Sequence, residues 1–222
     1  MADTPTRGAS GAEERFRWLF AYAIDGDLRF ISHHDTLRMF QRALIRAELP
    51  LRWSEGFNPH PRMTIPLPRP VGIASDAECI VVDTQSVLDP DAALARLAQH
   101  TPPGMVLKNV RRLAPGERLQ PDLVRYRMEI APLSPEELAT RILELREATS
   151  LPIERTDPKT RSARTLDLRP YLVAIEPVGT DVEFTLKVTG AGAAKPAEIA
   201  ALLGFDPAAI NHRIRRLEIQ WQ

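Results

Sequence analysis

Residues 28–72 read LRFISHHDTLRMFQRALIRAELPLRWSEGFNPHPRMTIPLPRPVG, and they carry most of the recognisable signals in the chain. Their centre is the segment 54–62, where Pro59 and Pro61 fix their own φ and keep the preceding residues out of the α region. Gly56 permits a turn that other residues resist. The pattern predicts either a stiff, extended loop that holds its side chains in set directions, or a proline-stiffened connection whose Phe57 fills the core.

A helix is predicted just before this loop. Ser32 or Asp35 can cap its N-terminus, and it runs to about Glu48 because Pro50 disfavours helix at the residue before it. Its apolar residues recur at helical spacing and form one buried face, made of Leu37, Phe40, Leu44 and Ala47.

Arginines line a different face of the same helix. Arg38, Arg42 and Arg46 follow one another at intervals of four residues. The planar guanidinium fork suits phosphates and other acids, so the stripe is a candidate anion-binding surface. The alternative is an ordinary solvated helix side on which long side chains extend into water.

The first half of the chain alternates strands with two helices. Strands are predicted at 16–24, 51–53 with 63–67, 78–84 and 105–113; a turn at 25–27 leads into an extended piece at 28–31, and a second helix runs from Asp89 or Pro90 to about Gln99. The resulting order is β-α-β-β-α-β, which is typical of the ferredoxin-like fold.

The second half repeats this order in outline. Strands or extended segments are predicted at 124–131, 153–156, 166–175, 182–188 and 213–221, with helices from Ser134 to about Ala148 and from Lys195 to near Gly204. We therefore expect an α+β fold in which two ferredoxin-like modules, residues 15–114 and 122–222, pack in tandem after a disordered tail at 1–14. The joint is expected near residues 115–121.

Composition narrows the possible functions. The 222 residues carry 29 basic and 29 acidic side chains, so a strongly cationic nucleic-acid binder is disfavoured, although local patches remain possible. The single cysteine, Cys79, excludes an internal disulfide and a cysteine-held iron–sulfur cluster on this chain alone. With no apolar run that could cross a bilayer and no apolar segment near the start, we expect a cytoplasmic protein that holds no cofactor.

Catalytic motifs are weak. His33, Asp35 and His60 are ligand types, but their spacing matches no strong zinc signature. Ser54 lies in no strand-turn-helix nucleophile elbow, and Cys79 lies in an apolar strand where a thiol usually acts as a small hydrophobe. No catalytic or metal-binding residue is therefore assigned.

A second polar cluster lies between residues 157 and 171. Its charged and aromatic members are Lys159, Arg161, Arg164, Asp167, Arg169 and Tyr171. They indicate either a solvated hairpin whose aspartate pairs with one arginine, or a basic hairpin that docks on a polyanion.

Several of these segments together resemble a known family. The motifs are S-H-x-D at 32–35, R-A-L-x-R-A-x-L-P at 42–50, S-E-G-F-N-P-H-P-[RK] at 54–62, G-x-x-S-x-x-E at 72–78 and D-[LI]-R-P-Y at 167–171. They are similar to those of the radical-SAM-linked family of unknown function, the DUF2344 family. The resemblance implies that the chain works beside a radical-SAM protein, because it lacks the cysteines to be one itself.

We therefore expect a non-catalytic accessory protein that presents a substrate, an RNA, to a radical-SAM enzyme. The expected substrate-binding or RNA-binding residues are His33, Asp35, Arg38, Arg42, Arg46, Ser54, Glu55, Phe57, Asn58, His60, Arg62, Lys159, Arg161, Asp167, Arg169 and Tyr171. Two alternatives remain: a stand-alone enzyme that uses His33, Asp35 and His60 at a metal or acid–base site, and a protein–protein scaffold.

Overall fold

The computed structural model describes residues 15–130, 133–156, 160–190 and 192–222. These residues form a mixed α/β fold with four α-helices and a large mixed sheet. The predicted tail at 1–14 lies outside the described residues. Within the described ranges, no helix is long and apolar enough to cross a bilayer.

The strands and the helices are numbered separately, each in chain order. The strands are β1 (Phe16–Ile24), β2 (Met63–Thr64), β3 (Ala74–Thr84), β4 (Met105–Arg112), β5 (Pro121–Glu129), β6 (Pro152–Thr156), β7 (Ala163–Asp167), β8 (Leu172–Val178), β9 (Asp181–Thr189), β10 (Gly192–Ala193) and β11 (Ile214–Trp221). The helices are α1 (His33–Arg46), α2 (Pro90–Ala98), α3 (Pro135–Glu147) and α4 (Pro196–Leu202), with 3₁₀ helices at Gly26–Phe30 and Asn211–Arg213.

Nine strands form one sheet. Its order is β10-β9-β5-β11-β3-β1-β4, while β2 pairs with β3 and β8 pairs with β9. Within the first half, β4, β1, β3 and β2 are antiparallel neighbours, and within the second half the same holds for β11, β5, β9 and β8. The halves meet where Arg215 and Arg216 of β11 pair in parallel with Ala74 and Ser75 of β3. Strands β6 and β7 form a separate hairpin.

Local signals account for the helix starts. The Ser32 hydroxyl accepts a hydrogen bond from the Asp35 backbone N–H at the start of α1. Ser134 and Glu137 form a reciprocal capping box at the start of α3. Each cap satisfies backbone donors that the first helical turn leaves without partners, so the sequence alone places both helices correctly.

Two apolar cores lie on the same face of the sheet. The first packs α1 and α2 on β1 and β3, and the second packs α3 and α4 on β5 and β9. Glu78 lies opposite Tyr22 in the β1–β3 register and so points toward the first core. Arg216 pairs with Glu78 and lies over the ring of Tyr126 in the second core. Among the described residues, the α-helices of both halves therefore pack on this face of the sheet and not on the opposite one.

Two predicted extended segments are corrected. Residues 28–31 belong mostly to the 3₁₀ helix Gly26–Phe30, because the Asp25 carboxylate accepts from the Gly26 N–H and caps that turn. The predicted continuous segment 166–175 is divided between β7 and β8. Between them, the Leu168 carbonyl accepts from the N–H groups of Tyr171 and Leu172 and closes a turn.

Candidate functional site

The arginine stripe of α1 forms one wall of a surface groove. Arg38, Arg42 and Arg46 are all exposed and line a groove of about 510 Å³. Residues 99–102, which follow α2, form the opposite wall and include His100. The fold therefore gives the stripe a concave setting, which an isolated solvated helix side would not have.

The groove is cationic. Asp35 is the one acidic residue among its described lining residues, against three arginines. Its carboxylate accepts a hydrogen bond from the Ser32 hydroxyl and lies 3.4 Å from Arg38, and these contacts lower its pKa. Within the described part of the chain, Arg42 and Arg46 make no hydrogen bond or ion pair. Two guanidinium groups are thus available to an anion.

Hydrogen bonds between its two ends close the 54–62 loop. The Ser54 N–H donates to the His60 carbonyl, and the His60 N–H donates to the Ser54 hydroxyl oxygen at 3.0 Å. The same hydroxyl lies 2.9 Å from His60 Nδ1. At the base of the loop, the Arg62 N–H donates to the Arg52 carbonyl and the Asp83 N–H donates to the Arg62 carbonyl, which joins the loop to β3.

Phe57 lies at the tip of this loop with its side chain fully exposed. The interpretation in which it fills the core is therefore wrong. Gly56 has a φ of 118°, a conformation that strongly favours glycine, and this turn projects the ring into solvent. Asn58 and Glu55 are exposed as well, and Glu55 lies 3.3 Å from Arg62. The tip presents one aromatic ring among polar groups.

A second cavity, of about 290 Å³, lies at the base of the loop. Its polar lining consists of Arg15, Arg17, His60, Arg62, Thr64 and Asp83. Sequence reasoning missed Arg15, Arg17 and Asp83. The sequence feature that could have identified the two arginines is the alternation of polar and apolar residues at the start of β1. It places residues 15 and 17 on the opposite face of the strand from Phe16 and Trp18. No described residue lines both this cavity and the α1 groove.

The three residues of the enzyme alternative line three different cavities, and Asp35 is the one in the α1 groove. His33 lines a very small internal cavity with Tyr22, Arg69 and Glu78, whereas His60 lines the cavity at the base of the loop. Among the described residues, no three His, Cys, Asp or Glu side chains are grouped so that they could hold a metal ion. The geometry therefore gives no support to a site shared by His33, Asp35 and His60.

A buried ion pair joins the two halves next to the small cavity that His33 lines. Arg216 Nη1 lies 2.8 Å from Glu78 Oε1, and both side chains are almost completely buried. Arg69 packs nearby and donates to four backbone carbonyls, among them those of Arg29 and Ile73. Burial, together with the Glu78 charge, raises the pKa of Tyr22 well above its usual value. The contacts of Glu78, Arg216 and Arg69 therefore stabilise the junction between the two halves.

Most of the second polar cluster also supports structure. The Asp167 carboxylate accepts from the N–H groups of Arg169 and Leu151, which lowers its pKa. The Arg169 guanidinium donates to the Leu145 and Leu172 carbonyls, and Tyr171 packs against the second core. These residues fix the turn between β7 and β8.

The remaining basic residues of that cluster have varied settings. Arg161 and Arg164 are exposed. Arg164 lines a wide groove between the β6–β7 hairpin and α4, where Arg155 is already paired with Glu198. Lys159 lies outside the described residues. Docking of the β6–β7 hairpin on a polyanion thus stays a prediction. The hairpin does not have a row of arginines along one groove wall like the row on α1.

Comparisons with known proteins return one family. The model of a family described as "Uncharacterized protein conserved in bacteria (DUF2344)" matches residues 17–196, from the second residue of β1 to the first residue of α4. No curated protein matches the chain.

Proposed function

We propose that this chain, which belongs to the DUF2344 family of uncharacterized proteins conserved in bacteria, is a non-catalytic accessory protein that binds single-stranded RNA in the groove beside α1. The observation that carries the proposal is the set of three exposed arginines along one wall of that groove. Arg42 and Arg46 have no competing acidic partner within the described residues. An anionic ligand therefore does not have to displace a carboxylate from either arginine.

The spacing of the stripe fits a phosphate backbone. Residues four apart on an α-helix rise by about 6 Å along its axis. That rise is comparable to the separation of neighbouring phosphates in an extended single strand. Each guanidinium can donate two parallel hydrogen bonds to one phosphate. His100 and Met39 line the same groove and offer a ring and a polarizable side chain to unpaired bases.

We further propose that the RNA is presented to a radical-SAM enzyme. This step rests on the resemblance of the 32–35, 42–50 and 54–62 motifs to the radical-SAM-linked family. A partner enzyme is needed in this proposal because the single cysteine of the chain cannot hold an iron–sulfur cluster alone. Affinity purification from the native cells tests it: recovery of a radical-SAM protein with the chain supports the partnership, and its absence under conditions that retain weak complexes contradicts it.

We also propose that each half is a ferredoxin-like module. The support is the repeated strand order, β4-β1-β3-β2 in the first half and β11-β5-β9-β8 in the second, with antiparallel neighbours throughout. The β6–β7 hairpin is then an insertion after α3 of the second module. Such paired modules give a rigid base for the groove and the loop.

The RNA proposal is tested by the double variant Arg42→Gln/Arg46→Gln. Loss of two phosphate contacts should lower the slope of log K against log[salt] by about 1.4 for a single strand, which corresponds to roughly 25-fold weaker binding at 0.1 M salt. Fluorescence anisotropy with a labelled single-stranded oligonucleotide measures both quantities. The matched control, Arg118→Gln/Lys187→Gln, removes two exposed basic side chains that lie outside every predicted RNA-binding segment, and it should leave both the affinity and the slope unchanged. Equal affinity and slope in the wild type and the α1 variant would contradict the proposal.

A further inference from the structure

The cavity at the base of the 54–62 loop has the composition of a second anion site. We infer that it binds the phosphate of one unpaired nucleotide of an RNA strand, and that the base of this nucleotide stacks on Phe57. The inference rests on the proposed function for the identity of the strand. Anion binding in the cavity does not depend on RNA binding beside α1, because no described residue lines both the cavity and the α1 groove.

The charges of the cavity favour an anion. Arg15 pairs with the buried carboxylate of Asp83 at 2.6 Å, so these two charges compensate each other. Arg17 donates from Nη1 to the carbonyl of Glu117, a neutral acceptor, while the nearby Glu117 carboxylate is hydrogen-bonded to Arg111 at 2.8 Å rather than to Arg17. Arg62 lies 3.3 Å from Glu55, whose side chain is 94% exposed and therefore easily displaced. Two positive charges remain for a ligand.

Arg17 keeps a donor for the ligand. Its Nε is inaccessible to solvent, so a ligand in the cavity does not reach that atom. Nη1 donates to the Glu117 carbonyl, and Nη2 makes no hydrogen bond within the described residues. A phosphate oxygen would accept from Nη2 in a charge-assisted hydrogen bond.

His60 is oriented by its own loop. Its Nδ1 lies 2.9 Å from the Ser54 hydroxyl and 3.4 Å from the Asn58 carbonyl, so Nε2 is the ring nitrogen left for a ligand. The prolines on either side of the ring restrict the backbone, and the Ser54 contacts fix the ring. The loop thus supplies a directional group next to the two arginine charges.

Phe57 gives the site its preference for a nucleotide over a simple phosphate. It lies three residues from His60, which limits the separation of the two Cα atoms to about 10 Å. The ring is fully exposed on a stiff loop, so stacking a base on it requires little ordering of the protein. Aromatic rings of this kind are common platforms for unpaired bases, whatever the base sequence.

The test compares the binding of AMP, adenosine and inorganic phosphate to the full chain by isothermal titration calorimetry. AMP should bind more tightly than either fragment. Phe57→Ala should weaken AMP binding about tenfold and leave phosphate binding unchanged, because only the base contacts the ring. Arg62→Gln should weaken both about tenfold, because it removes a charge-assisted contact to phosphate. Since the Phe57 ring is exposed, the first variant keeps the fold.

The outcomes separate this inference from the proposed function. Arg42→Gln/Arg46→Gln should leave AMP binding unchanged, and a single-stranded oligonucleotide should displace AMP from the wild type. If that double variant loses RNA binding while AMP fails to bind the wild type, the inference is overturned and the proposed function stands. An unchanged AMP affinity in Phe57→Ala overturns base stacking, and failure of the oligonucleotide to compete overturns the assignment to an RNA strand.

Discussion

Glu78→Gln should strongly destabilise the protein. Glu78 and Arg216 form a 2.8 Å ion pair whose side chains are 2% and 1% exposed. The substitution keeps the shape of the side chain but removes its charge. Arg216 is then left with the carbonyls of Leu67 and Pro68 and the ring of Tyr126, none of which carries a negative charge.

The expected cost follows from the burial of the pair. Removal of one partner of a buried pair costs about 3–5 kcal/mol, because the other charge stays buried without compensation. For a chain of this length, each kcal/mol lowers Tm by roughly 2–4 °C, so Tm should fall by roughly 6–20 °C. The double variant Glu78→Leu/Arg216→Met removes both charges and should be more stable than Glu78→Gln, since the buried Arg216 charge is no longer left without its partner.

Urea unfolding followed by far-UV circular dichroism measures the free energy of unfolding of each variant. The matched control is Glu218→Gln on β11. Its partner is Arg125 at 3.0 Å, and because both side chains are about half exposed, it should cost about 1 kcal/mol or less. A cost for Glu78→Gln no larger than that of the control would show that the two halves are not joined by a buried pair.

Two further predictions concern titration. Burial raises the pKa of the Cys79 thiol to about 12, so at pH 8 a disulfide reagent should modify it only after urea is added; rapid stoichiometric reaction of the native protein would contradict its burial. The pKa of Asp25 is lowered from 3.8 to about 2, chiefly by the hydrogen bond from Arg215, with help from Gly26 and Arg29. Its stabilisation is therefore fully present above the unfolded pKa and is lost as the pH falls through the folded one. The difference in unfolding free energy between the wild type and Asp25→Asn should stay constant from pH 7 to about pH 5 and shrink below about pH 4.

The helices and most strand positions follow from local sequence. Ser32 and Ser134 mark helix starts through contacts made within three residues, and β1 has the predicted bounds. The 3₁₀ helix at Gly26–Phe30 was missed because the Asp25–Gly26–Asp27 turn signal does not specify which turn follows it. The tandem module boundaries stay a prediction.

Contacts between distant residues could not be predicted in this way. Glu78 begins an apolar run and looks like an ordinary strand residue, while its partner Arg216 lies 138 positions later. Arg15 and Asp83 are separated by 68 positions and meet because β1 pairs with β3. The stiffness of the 54–62 loop stays a prediction from its prolines, and the cavity beneath the loop depends on which strand lies next to it.

The most direct test of RNA binding beside α1 is to locate the bound strand. A single-stranded oligonucleotide containing 4-thiouridine would be irradiated with the full-length protein, and the crosslinked peptides identified by mass spectrometry. RNA binding beside α1 predicts adducts within residues 38–46 and 99–102, and these adducts should be lost in Arg42→Gln/Arg46→Gln. Crosslinks confined to the helix-free face of the sheet or to the β6–β7 hairpin, and unaffected by that variant, would contradict it.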